Sequence, residues 1–354
     1  MLYDTDRCGT KNGASLGPLC QNGRRITGNS EAGTGGGGKV FTARIRIGAP
    51  GVRRAWAGLR AYPELTKIRL TSLVVATTAV GFVMAGAVRP HLAQLVQTLV
   101  GTTLAAAGAM ALNQYLEAAR DARMNRTMHR PLPSGVITPR HALVFGLVVA
   151  TAGLVILAAF ANLLTATLGL TVVLVYTLVY TPLKPRSPLC TLAGAVCGAI
   201  PPMMGWTAAG AGLGFGAWLL AGVLFLWQIP HFLALAWLYR EDYARGGFRM
   251  LPVVDASGGA TGRMAVLYSL ALVPVGIFAA LGGVTGWRFA AAALALGCCL
   301  LVLSSLLAIR RTDVVARRLF FATLAYLPLL LAAMVADRLQ PAANLAVALL
   351  APGR

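Results

Sequence analysis

Nine apolar stretches, each near the length that crosses a bilayer, dominate this 354-residue chain and leave few architectures open to it. A helix needs about 20 apolar residues to span the hydrocarbon core. The stretches fall at approximately 70–88, 94–116, 141–161, 163–181, 189–209, 213–236, 264–284, 288–309 and 317–336. With 57% hydrophobic and only 12% charged residues, a soluble fold would need nearly the whole chain in its core. The expected fold class is an all-α integral membrane protein, a bundle of nine transmembrane helices.

The formal net charge is +20, and its distribution sets the expected orientation. Cytoplasmic loops of membrane proteins carry the Lys and Arg excess. Here that excess fills the N-terminal region and alternate loops: Arg120, Arg123, Arg126, Arg130 and Arg140; Lys184 and Arg186; Arg240, Arg245, Arg249 and Arg263; Arg310, Arg311, Arg317 and Arg318. The other loops hold only Arg89 and Arg288. The N-terminus is therefore expected in the cytoplasm, the C-terminus outside, and the chain multi-pass in the cell (inner) membrane. Because the arginines sit between apolar segments rather than on amphipathic helices interleaved with aromatics, no nucleic-acid partner is expected.

Three regions are anticipated. Residues 1–62 are rich in Gly, Ser and Arg, include the run from Gly33 to Gly38, and read as a disordered extension or as translated sequence ahead of a later start. Residues 63–340 form the membrane domain, and 341–354 a short tail. Six cysteines, Cys8, Cys20, Cys190, Cys197, Cys298 and Cys299, follow no metal or redox spacing and read as small apolar residues.

Polar residues cluster where apolar segments end. In the run from Asn113 to Gly135, Asn113, Glu117 and Asp121 stand four apart, so each is turned about 40° from the last and all share one helical face. Three oxygen donors suit magnesium, which keeps waters and bridges to substrate phosphates. Arg123, Arg126 and Arg130 can grip outer phosphate oxygens. The same residues also suit a helix end paired with its own loop arginines, although acidic groups at the edge of an apolar core are costly unless paired, which tilts the balance towards function. Tyr180 and Lys184 close the fourth segment at Pro182, as a further cation for a diphosphate or as interface anchors. In the sixth, Pro230 is expected to kink the helix near His231, which reads as a metal or ligand contact or as a core histidine. Glu241 and Asp242 follow, either as a second magnesium site or as a solvated pair with Arg240 and Arg245. The segment from Gly194 to Trp206, rich in small residues and proline, permits close helix packing or irregular backbone around a cavity.

Over roughly Thr66 to Asp337, these motifs resemble the UbiA superfamily of intramembrane prenyltransferases. The Asn-x-x-x-Asp/Glu-x-x-x-Asp motif falls on Asn113, Glu117 and Asp121, and the Tyr-x-x-x-Lys motif on Tyr180 and Lys184. The segments MNRTMHRPLPSG, TPLKPRSPLCTLAGAVCGAIPPMMGW, WQIPHF and LAWLYREDY are similar to the heme O synthase branch. Two departures stand out: Glu117 replaces the commoner aspartate, and the second motif offers only Glu241 and Asp242 where several aspartates are usual.

The resemblance implies a nine-helix bundle with a cytoplasmic-side active site, Mg2+ as cofactor, and transfer of a farnesyl group from farnesyl diphosphate to a vinyl group of heme B. Catalysis would fall to Asn113, Glu117, Asp121 and Lys184. Metal would be held by Asn113, Glu117 and Asp121 with Glu241 and Asp242, and diphosphate by Arg123, Arg126, Arg130, Tyr180 and Lys184. His231, Arg240 and Arg245 would contact heme or the second motif, with Arg249 a further propionate partner. Besides its substrates and the lipid bilayer, the implied partner is a downstream heme A synthase receiving the product. A secondary transporter or a catalytically silent heme chaperone would share the helices. Transporters place coupling residues near the bilayer midplane, whereas these acidic groups lie at helix ends.

Overall fold

Each expected apolar segment becomes a helix in the computed structural model, which describes residues 61–86 and 92–339. In order these are α1 (Ile68–Met84), α2 (Leu92–Asp121), α3 (Pro139–Ala161), α4 (Leu163–Leu183), α5 (Cys190–Ala208), α6 (Phe215–Leu238), the short α7 (Arg240–Arg245) and α8 (Leu251–Val254), α9 (Gly259–Leu281), α10 (Trp287–Arg310) and α11 (Asp313–Ala336). The starts carry local signals. Thr138 caps α3 ahead of Pro139, Asn162 accepts from the Thr165 amide at 2.8 Å, and Thr312 accepts from that of Val315.

Among the described residues seven helices, α2, α3, α4, α6, α9, α10 and α11, are long and apolar enough to cross a membrane. The expected count of nine is not met on that measure. The other two segments do form helices, but α1 has 17 residues, and α5 is diluted by Gly194, Gly198, Gly205, Pro201 and Pro202. The multi-pass character stands. Val144, Val148 and Val155 on α3, and Phe321 and Leu329 on α11, are exposed, an apolar surface that bilayer rather than water would cover.

Close approach of backbones joins α2 to α3 and α1 to α5. A Cβ on Gly108 would overlap the Ala150 backbone and one on Gly153 that of Ala105, so α2 and α3 meet backbone to backbone. Gly81 against Pro202, and Gly205 against Thr78, do the same for α1 and α5. The small residues of α5 therefore serve packing within a regular helix, and α6 likewise runs on as one helix through Pro230. A larger core, centred on Leu220, Trp227, Phe289 and Tyr326, unites α6, α9, α10 and α11.

The four basic loops meet at one end. Asp242 reaches the amides of Asn125 and Arg126, the Arg249 amide donates to the Lys184 carbonyl at 2.8 Å, Arg240 pairs with Asp313, and Arg311 donates to the Ser257 carbonyl. At the opposite end, Asp337 accepts from the Phe289 amide and Arg338 donates to the Val83 carbonyl. Ala61 and Tyr62, assigned by sequence to the extension, pack with the helices: Ala61 is buried beside Ala111 and Ala142, and the Tyr62 hydroxyl lies 2.8 Å from His141 Nε2. The rest of the anticipated extension, with Cys8 and Cys20, and the 341–354 tail lie outside the described residues.

Candidate active site

The polar face expected on α2 exists and is buried. Asn113, Glu117 and Asp121 are each at most 4% exposed, so their charges and dipoles require partners. Each has one, from a different part of the chain. Lys67 donates to Asn113 Oδ1 at 2.6 Å, Lys184 lies 2.8 Å from Glu117 Oε1, and Arg130 donates to Asp121 Oδ2 at 2.7 Å. The Lys184–Glu117 contact is an ion pair between two largely buried side chains. Next to Asn113, Gln114 donates to the carbonyls of Glu64 and Leu65, fixing the approach to α1.

The end of α4 is shaped for this contact. Over Val175–Tyr180 the helix widens to the i to i+5 form, a deviation frequent at functional sites. Thr181 Oγ1 donates to the Tyr176 carbonyl and accepts from Asn113 Nδ2 at 2.9 Å. Lys184 Nζ then sits 4.5 Å from the centre of the Tyr180 ring. Burial opposes the Lys184 charge, but Glu117 outweighs it and raises the ammonium above its ordinary pKa.

Lys67 is the member that sequence reasoning missed. It lies 46 residues ahead of Asn113 and follows the helical residues 61–65, with no motif spacing to mark it. Its backbone is left-handed, φ 47° and ψ 56°, where a side chain costs about 1–2 kcal/mol. Burial, with Arg130 and Lys184 nearby, pushes its pKa down to about 7 against the opposing pull of Glu117 and Asp121.

The remaining expected residues divide. Arg126 and Asp242 meet: Asp242 accepts from the Asn125 amide at 2.9 Å, the Arg126 amide at 3.1 Å and the Arg245 guanidinium. Burial works to raise the Asp242 pKa, but Arg245 and the two amides prevail and hold it below the usual carboxylate range. The Arg126 side chain lies over the rings of Tyr239 and Tyr243. Arg123 turns back to its own helix at the Ala119 carbonyl, 3.4 Å away, and does not join the cluster. Glu241 is exposed, while the oxygens of Asp242 are engaged by the loop, so the two are not presented as a pair of metal ligands. Arg240 donates to Asp313 and to the Trp237 carbonyl.

A cleft of about 360 Å³ opens between Arg126, Arg240, Arg245 and Tyr239, and a second of about 370 Å³ beside Glu117, Arg120, Thr181 and Arg186. Deeper along α2, Ala105, Ala109, Val173 and Met204 line an apolar crevice. His231 stands apart from the second motif. Its ring stacks between Trp227 and Phe320, each 5.1 Å away, and Nδ1 lies 2.9 Å from Thr323 Oγ1. Gly222, which faces open space, is nine residues earlier, about 180° around α6. His231 is therefore turned from the open side towards the bundle.

The donor set fits a magnesium ion. Two carboxylates and an amide, all buried on one face of α2, supply hard oxygen ligands. Among the described residues no group of three or more His, Cys, Asp or Glu side chains is gathered to hold a metal alone. An ion here would take its other ligands from water and substrate.

The model of the UbiA prenyltransferase family matches residues 74–351. Protoheme IX farnesyltransferase of Solibacter usitatus is 42% identical over 79% of this chain and 99% of its own length. The mitochondrial protoheme IX farnesyltransferase of Homo sapiens is 44% identical over 77% of this chain and 61% of its own. Among solved structures, a UbiA homolog from Aeropyrum pernix K1 superposes with a TM-score of 0.63 at 18% identity, covering 76% of this chain and 98% of that one. One from Archaeoglobus fulgidus, bound to GPP and Mg2+, gives 0.54 at 14%, covering 77% and 99%. The low identities speak to fold, and the family match and the relatives to lineage: this chain belongs to the UbiA prenyltransferase family.

Proposed function

We propose that this protein is a protoheme IX farnesyltransferase, transferring the farnesyl group of farnesyl diphosphate to a vinyl group of heme B to form heme O. The observation that carries the reading is the buried α2 ladder of Asn113, Glu117 and Asp121, each rung met by a cation from elsewhere in the chain. Opposite charges in place before substrate arrives are what departure of an anionic leaving group needs. The names of the relatives supply the acceptor.

In this reading Asn113, Glu117 and Asp121 hold Mg2+, which when bound offsets the charge of the departing diphosphate. Lys184 and Arg130 bind its oxygens, with Tyr180 supporting Lys184 and Arg126 at the rim. The farnesyl tail runs into the apolar bundle beside Ala105 and Ala109, where the narrow crevice widens to take it and water is kept from the reacting carbon. As the C1–O bond breaks, the terminal vinyl carbon of heme bonds to farnesyl C1. Water then adds to the neighbouring carbon and loses a proton, leaving the hydroxyethylfarnesyl group. His231 contacts the heme, and Arg240 and Arg245 bind its propionates at the cleft they line. Nine helices form the bundle, α1 and α5 included. The basic end faces the cytoplasm of the cell membrane, with the C-terminus outside, and heme O passes to a heme A synthase.

Expression in a host lacking its own heme O synthase, followed by extraction and mass determination of the hemes, tests the reaction. Heme O with the wild-type chain and none with Asp121→Asn is expected. An unchanged heme B pool with folded wild-type protein in the membrane would reject the acceptor.

A further inference from the structure

We propose that Lys67 is a diphosphate-binding residue of this site, whose ammonium moves from Asn113 to the phosphate oxygens when substrate enters. The inference rests on the reading of the α2 face as a prenyl diphosphate site. It begins from a local conflict. Lys67 closes the turn after residues 61–65 in the left-handed backbone region that glycine occupies most easily. A residue kept there at a cost to the fold invites a role for its side chain.

That side chain runs to α2 and donates to Asn113 Oδ1 at 2.6 Å. It does so beside two other cations on the same ladder, Lys184 at Glu117 and Arg130 at Asp121. If Lys67 only satisfied Asn113, a neutral donor would serve, and a third cation beside two others would be a liability in a half-buried site. With Lys67 protonated, three cations face two carboxylates, an excess of positive charge that an anion completes. The three come from separate elements, the turn before α1, the loop after α2 and the end of α4, and so converge on one ligand from different sides. Asn113 is also the neutral rung: once its oxygen turns to a cation brought with the substrate, Lys67 is released without stranding a carboxylate.

The test uses the full chain in nanodiscs with two probes: magnesium with inorganic diphosphate, and magnesium with farnesyl S-thiolodiphosphate, which ionises slowly. Lys67→Gly removes the ammonium and relieves the backbone, and Lys67→Asn, also tolerated in the left-handed region, is its companion. Both variants are expected to unfold at or above the wild-type temperature yet to bind each probe at least 10-fold more weakly, with Lys67→Arg retaining most of the affinity. Wild-type affinity for both probes in Lys67→Gly or Lys67→Asn would overturn the proposal. If wild-type protein binds inorganic diphosphate but not the farnesyl analogue, and Lys67→Gly loses the former, Lys67 keeps its role and the prenyl substrate is wrong. A wild-type chain that binds neither probe overturns both.

Discussion

Lys184, just beyond the end of α4, holds its ammonium 2.8 Å from Glu117 Oε1 on α2, with both side chains largely buried. The contact joins the two motifs into one site. It also makes each residue dependent on the other. Removing one partner of a buried ion pair costs about 3–5 kcal/mol, because the remaining charge stays desolvated. Glu117→Gln should therefore lower thermal stability more than the double variant Glu117→Gln with Lys184→Met, and both should lose at least 100-fold in turnover. Unfolding in detergent and steady-state rates check this. Equal destabilisation by the single and double changes would mean that the pair is not coupled.

Asp242 clasps the loop after α2 through the amides of Asn125 and Arg126. Its folded pKa lies below its unfolded value. The clasp therefore contributes stability that is complete above the unfolded pKa and is lost as pH falls through the folded one. Asp242→Asn should cost about 1.5–3 kcal/mol at neutral pH and flatten the loss of stability below pH ~4. An acid limb unchanged in the variant would assign that limb to other carboxylates.

His231 is fixed by stacking and by Thr323 rather than by the ladder. If it contacts the acceptor, His231→Ala should raise KM for heme about 10-fold while leaving that for farnesyl diphosphate within about twofold, a difference of about 1.4 kcal/mol in favour of one substrate. Parallel changes in both constants would point to a packing role alone.

Gly205 has no room for a side chain, since a Cβ there would overlap the Thr78 carbonyl. Gly205→Val should separate α1 from α5, displace Lys67 at the head of α1, and cost more than about 3 kcal/mol. Loss of folded protein in size-exclusion profiles is the expected readout, and a normal profile with full activity would contradict it.

Much of this was legible because hydropathy and fourfold spacing are local properties. Asn113, Glu117 and Asp121 share a face by helical geometry alone, and the structure places them so. The basic loops were readable as one end of the bundle for the same reason. What spacing could not reach were pairings across the chain. Lys67 carries no motif, and only the fold brings it to Asn113. Asp242 read as a metal ligand because its acidity is visible in sequence, whereas the loop amides that occupy it are not. Among the described residues seven of the nine expected helices have the length and hydropathy of a membrane crossing, because α1 is short and α5 trades apolar side chains for glycine and proline at its contacts.

The most direct test of the central claim is release of diphosphate by the purified chain in liposomes, supplied with heme B and farnesyl diphosphate and titrated with Mg2+. One diphosphate released per heme O formed, a saturable dependence on Mg2+, and loss of both products in Asp121→Asn with the protein still folded are expected. Heme O formation that persists in Asp121→Asn, or that is indifferent to Mg2+, would contradict the assignment of the α2 ladder.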